Sequence, residues 1–439
     1  MKMTLRTTIT AAMLGIISSV LQAQNVMDEL TLDVSRAAGL RYVRPSMKHA
    51  DTPAPDGKRP FYINHYGCPA AYYAEQQEIY DNPYQALARA DSLGKLTKLG
   101  RDVLRRVRLI RADANNRTGE LTARGVNQSR EQTTHMVERF PDVFIEKGYY
   151  SSRGIVANHC IQTMGESMVQ LSQLRQPLKS NILASHRDRK FMDPVDNVLE
   201  AERTSMKAVA HYTEFVKQNT DDQRLIASLF NDADYVASHV DTLTFGHQLF
   251  ILAGCVQLTG RQDLPTLYDI FTPEEIHRHW RRQNAWSYMN YGFYQLNGGN
   301  QPFMQRATLR NMMHMGDSVL KRYYPIIHTR YTNEGVVMAL ACLMELDSCG
   351  LKTNNFEDLE KRGWADYRIA PLGGSVQIIH YRRDREDQDV LVKVLLNGRE
   401  ASLPIATDCA PYYHWQDVKR YYLRKLYKYE NSRFTSKIK

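Results

Sequence analysis

The sequence predicts an α/β protein. Three observations carry that expectation. A short apolar run of β type, 61–63, stops at a glycine-bearing loop; two stretches of helical periodicity follow it, 84–112 and 122–139; and beyond a long helical middle the tail alternates apolar and polar residues before turning helical again. With 43% apolar and 10% aromatic residues over 439 positions, the chain has material for a sizeable core, in one large domain or two.

Residues 1–23 are not expected in that core. Lys2 and Arg6 precede an apolar run, 9–21, too short to span a bilayer, and Leu21-Gln22-Ala23 offers a cleavage site. This reads as a secretory signal peptide, and the protein as exported, periplasmic or extracellular. No Cys follows the run closely enough for a lipid anchor, and no later stretch is apolar enough to cross a membrane. Removing the segment would lower the formal charge of +9 by two. Acids and bases are interspersed, and no basic-aromatic module is present, which argues against a nucleic-acid partner. Six Cys (68, 160, 255, 342, 349, 409) all follow the signal segment. Export permits disulfides, but spacing does not rank the pairings. Cys342 and Cys349 share a helical face roughly 10 Å apart, so they pair only if the helix ends before Cys349.

Along the chain, Phe61-Tyr62-Ile63 reads as a buried first strand. Ligand sites in open α/β sheets gather at the carboxyl ends of such strands, so residues 64–73 are expected to line a pocket. Leu87, Leu93, Leu96, Leu99, Val103, Leu104 and Val107 recur at helical spacing over 84–112, and Thr122 caps a second helix that Gly119 and Gly125 bracket. Residues 191–311 are mainly helical, including 225–241, 249–259 and 273–291. His277 and His279, two apart on a helix, point to nearly opposite faces and form no metal pair; no metal and no cofactor is expected. Trp280 and Trp286 read as core. In the tail, 375–381 and 390–396 are strand-like, Asn397-Gly398 is a tight-turn signal before 401–405, and 419–428 is a basic-aromatic helix read as a solvated face.

The stretch Tyr62-Ile63-Asn64-His65-Tyr66-Gly67-Cys68-Pro69-Ala70-Ala71-Tyr72-Tyr73 resembles the signature of the histidine phosphatase superfamily, in the branch of acid phosphatases, phytases and multiple inositol polyphosphate phosphatases. The resemblance extends over roughly 45–425. Its supports are the Gly119 to Gly125 segment, Leu267 to Ile276, Leu296-Asn297-Gly298-Gly299 with Gln305-Arg306, and the C-terminal strands. It implies a central, mostly parallel sheet flanked by helices, with an inserted helical cap: 24–190 and 312–439 as the α/β domain, 191–311 as the cap. Bacterial members of the branch read Arg-His-Gly-x-Arg-Tyr after the lead-in. Here Cys68 stands at the first Arg, Pro69 at the nucleophilic His, Ala70 at the Gly and Tyr72 at the second Arg. In Arg153-Gly154-Ile155-Val156-Ala157-Asn158-His159-Cys160-Ile161, His159 takes the place of a phosphate-binding Arg. In Arg330-Tyr331-Thr332-Asn333-Glu334-Gly335, Asn333 takes the place of the catalytic His and Gly335 that of the acid, with Glu334 one residue early.

Pro69 has no side-chain nitrogen and forms no phosphohistidine. Three lost guanidinium partners, each contributing about 1.5–3 kcal/mol, should weaken phosphate binding by roughly three orders of magnitude or more. Loss of a nucleophile alone costs on the order of a million-fold in turnover. The expectation is therefore a secreted, catalytically inactive pseudophosphatase kept for ligand binding or scaffolding. A small phosphorylated or sugar-like ligand would meet Tyr66, Tyr72, Tyr73, His159 and Asn333. The alternative is a phosphomonoesterase acting on inositol phosphates or other monoesters through a rearranged site, with His65 or His159 and the acid Glu334. A thiol enzyme built on Cys68 is a third option, with Pro69 offering no backbone N–H and no basic partner beside it.

Overall fold

The computed structural model describes residues 25–47, 51–175 and 179–438; the expected signal segment, 1–23, lies outside the described residues. The apolar run at Phe61 grows into a longer strand, β1 (Arg59–Gly67), buried from Phe61 to its end. Residues 64–67, expected as pocket-lining loop, thus continue the strand. Two of their polar side chains, Asn64 and Tyr66, find buried partners there. Asn64 Nδ2 donates to the Met312 carbonyl at 3.2 Å, its Oδ1 accepts from Arg330 Nη1 at 2.7 Å, and the Tyr66 hydroxyl donates to the Phe191 carbonyl at 3.2 Å.

The remaining strands are β2 (Tyr149–Gly154), β3 (Lys179–Ala184), β4 (Phe293–Tyr294), β5 (Ile326–Tyr331), β6 (Lys352–Thr353), β7 (Ser375–Arg382), β8 (Leu391–Leu396), β9 (Arg399–Glu400) and β10 (Tyr412–His414). Eight of them form one mixed sheet in the order β10-β8-β7-β1-β5-β2-β3, with β9 on β8; β4 and β6 pair separately. The half from β1 to β3 is parallel and the half from β7 outward antiparallel. At the β8–β9 turn, Asn397 and Gly398 take φ 53° and 77°, the left-handed pair that a two-residue hairpin requires. The strand after it is two residues long, rather than the expected 401–405.

The longer helices are α1 (Glu78–Ser92), α2 (Lys98–Ala114), α3 (Ala123–Arg139), α4 (Asn158–Leu174), α5 (Phe245–Thr259), α6 (Pro273–Tyr291), α7 (Arg306–Val319), α8 (Glu334–Met344) and α9 (Trp415–Ile438). The single helix expected over 84–112 is two. Gly94 turns the chain at φ 69°, and Thr97 restarts it by accepting from the Gly100 N–H at 3.0 Å. Apolar layers cover both faces of the sheet. Ile63, Ile327 and Ile379 pack with Val137 of α3, Phe140 just after it, and Met168 and Leu171 of α4. Tyr62 and Tyr66 face a larger cluster drawn from α6, α7, α8 and α9. A third cluster joins Leu87, Val103 and Leu104 of α1 and α2 to Leu249 and Phe250 of α5 and Trp280 of α6, so the helical layer is built from residues on both sides of β2 in sequence.

Two readings of the sequence change here. Trp280 is fully buried, but Trp286 is 42% exposed, on the outer side of the same helix. The basic-aromatic helix is docked rather than solvated. Trp415, Val418, Tyr422 and Leu426 of α9 are buried, while Lys419 and Lys425 pair with Asp317 and Glu345 at 2.9 and 3.1 Å. All six cysteines are free thiols. The helix α8 does end before Cys349, with Glu345 left-handed, and Cys342 and Cys349 are nonetheless unpaired. No helix among the described residues is long and apolar enough to cross a membrane.

Candidate functional site

The three inner parallel strands end level: Gly67, Tyr331 and Gly154 are register partners. The loops that follow, 68–73, 155–158 and 332–334, therefore meet at the carboxyl end of the sheet, where open α/β sheets place ligands. Backbone bonds fix the first loop. Cys68 N–H donates to the Gly374 carbonyl at 2.7 Å, Ala70 N–H to Thr163 Oγ1 at 3.0 Å and Ala71 N–H to Gln128 Oε1 at 3.0 Å. The Ala71 carbonyl accepts from the Thr122 N–H at the start of α3. Gly125 makes that approach possible, because a Cβ there would lie 2.0 Å from the Ala71 oxygen.

Of the residues singled out in the sequence, the structure brings four together. The Tyr72 ring stacks on His159, centroids 4.2 Å apart and planes 16° from parallel. The Tyr72 hydroxyl donates to Glu334 Oε1 at 3.0 Å. His159 Nε2 lies 3.4 Å from Asn333 Oδ1, and its Nδ1 lies 3.6 Å from the exposed Glu75 carboxylate. Burial raises the Glu334 carboxyl above its ordinary range, against the opposing pull of its backbone N–H, His159 and Tyr72. Gly335, at the family's acid position, has no room for a side chain: a Cβ would meet the Tyr291 ring at 2.5 Å. The members bond mainly to one another, and the buried His159 Nδ1 is left without a hydrogen bond. An aromatic ring, Tyr72, and an imidazole, His159, stand where the resemblance places arginines.

The other named residues lie apart from it. Tyr66 is fully buried with the Arg330 guanidinium 4.7 Å over its ring, and Tyr73 donates to Asp113 at 2.9 Å under Arg117. Alternation along β1 sends Tyr66 to the face of α7 and His65 to the opposite face, so Tyr66, Tyr72 and Tyr73 do not share one pocket. Pro69 is buried and contributes only its carbonyl, which accepts from the Gly373 N–H at 2.8 Å. Burial, then the nearby Glu334 and Cys160, push the Cys68 thiol well above its ordinary range, the reverse of what a thiolate nucleophile needs. His65 is 6% exposed, its imidazole is pushed down to about 3 by burial and then by Arg330, and its Nδ1 has no hydrogen-bond partner.

His65 and Cys68 line a cavity of about 420 Å³ between the sheet and α3, together with Gln132, Thr133, Tyr331 and Gln377. The expectation that residues 64–73 line a pocket pointed to its His65, Gly67 and Cys68, but not to its wall on α3. On the other sheet face, a cavity of about 370 Å³ lies beside Arg153, His328 and Arg330. The one cluster with metal-ligand geometry among the described residues, Asp408, Cys409 and His414, sits at the far sheet edge on and before β10. Both His414 nitrogens there already face carboxylates, at 2.6 and 3.0 Å.

The sequence matches no family model and no curated protein. Solved structures do match. The chain is similar to multiple inositol polyphosphate phosphatase of Bifidobacterium longum in complex with phosphate, with a TM-score of 0.72 at 13% identity over 88% of this chain and 97% of that one. The complex of the same enzyme with inositol hexasulfate gives 0.71 at 12% identity, over the same shares. The phytase from D. castellii gives 0.64 at 13%, over 90% of this chain and 85% of that one. The chain therefore has the α/β fold of the histidine acid phosphatase branch, with the mixed sheet and flanking helices described above.

Proposed function

We propose that this is an exported protein of phosphatase fold that does not hydrolyse phosphate esters and acts by binding. The observation that carries the reading is the Tyr72 ring, stacked on His159 and bonded through its hydroxyl to Glu334. It occupies the place of a phosphate-binding Arg in the resemblance and ties up Glu334, the carboxyl beside the expected acid position. A phosphoryl group there would meet no guanidinium and no nucleophile, because Pro69 supplies neither. Binding is better served by the cavity behind the loop. Its Gln132, Thr133, Gln377 and neutral His65 offer uncharged donors and acceptors, with Asp51, Glu138 and Arg139 also on its wall, a mixed polar lining suited to a sugar-like or polyol ligand. In this reading residues 191–311 are the cap and residues 1–23 the export signal.

One observation favours a working site instead. His65 is neutral, its Nδ1 is unpartnered and it faces a cavity, as an attacking imidazole would. Turnover of inositol hexakisphosphate and p-nitrophenyl phosphate separates the two. The proposal expects no release of phosphate above protein-free buffer. Release that His65→Ala or His159→Ala abolishes would establish the rearranged phosphomonoesterase.

A further inference from the structure

The face of the sheet that carries Tyr62 and Tyr66 holds a second concave site. Its floor is strand. Arg153 of β2 and Arg330 of β5 are register partners in adjacent parallel strands, so their side chains stand side by side on one face, with His328 two residues before Arg330. Adjacent strands lie only about 4.8 Å apart. Two guanidiniums at that spacing need a counter-charge, and one carboxylate is present. Asp188, 4% exposed, pairs with Arg153.

Arg330 has no carboxylate partner among the described residues. It is 3% exposed, its Nη1 donates to the neutral Asn64 amide at 2.7 Å, and its buried Nε has no hydrogen-bond partner. The Tyr66 face beneath it, at 4.7 Å, offsets only part of the cost of burying a cation. The rim adds Arg187 and Lys190, both exposed and neither in an ion pair with a described residue. The cavity these groups enclose, about 370 Å³, thus carries four cationic side chains against one carboxylate. The imidazole of His328 responds to that excess. Burial, then Arg330 and Arg153, push it down to about 3.

We infer that this cavity is an oxyanion site for a phosphate group, free or esterified, with the Arg330 guanidinium at its base, Arg153 beside it and Arg187 with Lys190 closing the mouth. A planar guanidinium with free donors is suited to tetrahedral oxyanions, and cations at the rim steer an anion inward. The site lies on the sheet face, is built from residues other than Tyr72, His159 and Glu334, and does not depend on whether the strand-end cluster is inert.

Calorimetric titration of the full chain with inorganic phosphate, and separately with glycerol 2-phosphate, tests it. The inference expects saturable binding of inorganic phosphate. Equal binding of the ester assigns the site to phosphate monoesters, and a much weaker ester signal assigns it to the free ion. The double variant Arg187→Ala, Lys190→Ala should bind roughly tenfold more weakly or worse and melt as the parent does in anion-free buffer. Arg330→Met should abolish binding; should it fail to fold, the rim variant still decides. No binding by the parent, or binding that the rim variant leaves intact, overturns the inference. A turnover assay reads none of this, so the site stands or falls separately from the proposed inertness.

Discussion

The strand-end cluster and the cavity on the sheet face both draw on β2 and β5 and the loops that follow them, yet they dispose of charge in opposite ways. At the strand ends Tyr72, His159, Asn333 and Glu334 close on one another: a stacked pair, a hydroxyl on a carboxyl and an amide beside an imidazole. On the sheet face Arg330 stays buried without a carboxylate partner among the described residues and the rim cations stand open. The strand-end cluster leaves one ring nitrogen, His159 Nδ1, without a hydrogen bond but no buried guanidinium unmet. The sheet-face cavity leaves a buried guanidinium unmet and so asks more of a ligand, because an uncompensated buried charge costs more than a paired one. The resemblance to phosphatases pointed to the first place as the anion site. The unpartnered Arg330 guanidinium puts the unmet demand at the second.

The largest expected effect bears on how the first place is held. Gly125→Ala should destabilise the protein by about 3 kcal/mol, since its methyl would sit 2.0 Å from the backbone oxygen of Ala71. Gly165→Ala, with nothing within 4 Å of its Cβ, should not destabilise it; denaturant melts of the two variants decide. If both fold equally well, the loop is not wedged against α3.

A pH dependence bears on the second place. His328 is neutral when folded, with its pKa lowered from 6.5 to about 3. The unfolded chain therefore binds the extra proton, and stability is full above pH 6.5 and falls as pH drops toward 3. The slope is about 1.4 kcal/mol per pH unit for one such group. His328→Asn should lose one proton from the slope of unfolding free energy measured between pH 6 and pH 4, and saturating phosphate should flatten the parent's slope in the same direction. A slope that phosphate does not change would remove the contrast between the two sites.

Tyr72→Phe deletes the hydroxyl that meets Glu334 and should cost about 1–3 kcal/mol in the same melts. The smallest effect is expected from Glu334→Gln. The carboxyl is raised when folded, so the parent loses stability as pH climbs from the unfolded value of 4.5 toward the folded one, and the variant should lack that component.

Much of the framework was legible in the residues. The cap at Thr122, the turn at Asn397-Gly398, the strand at Phe61 and the helical middle all follow from local rules of capping, left-handed conformation and periodicity. The split between α1 and α2 was not, because apolar spacing runs on across Gly94 while the backbone does not. The exposure of Trp286 was missed because tryptophan identity says nothing of which side of a helix the core lies on. At the site, the substitutions at Cys68, Pro69, Tyr72, His159 and Asn333 were plain in the sequence. That Tyr72 would fold onto His159 depends on three loops meeting across level strand ends. The sheet-face cavity hides for a similar reason: Arg153 and Arg330 are 177 positions apart and become neighbours only through strand register.

The most direct test of inertness at the strand ends is chemical trapping. The whole protein is mixed with p-nitrophenyl phosphate, quenched under conditions that preserve phosphohistidine, and digested for peptide mass spectrometry. No phosphorylated peptide should be found at any quench time. A phosphate carried on the peptide containing His65 or on that containing His159 would contradict the account outright.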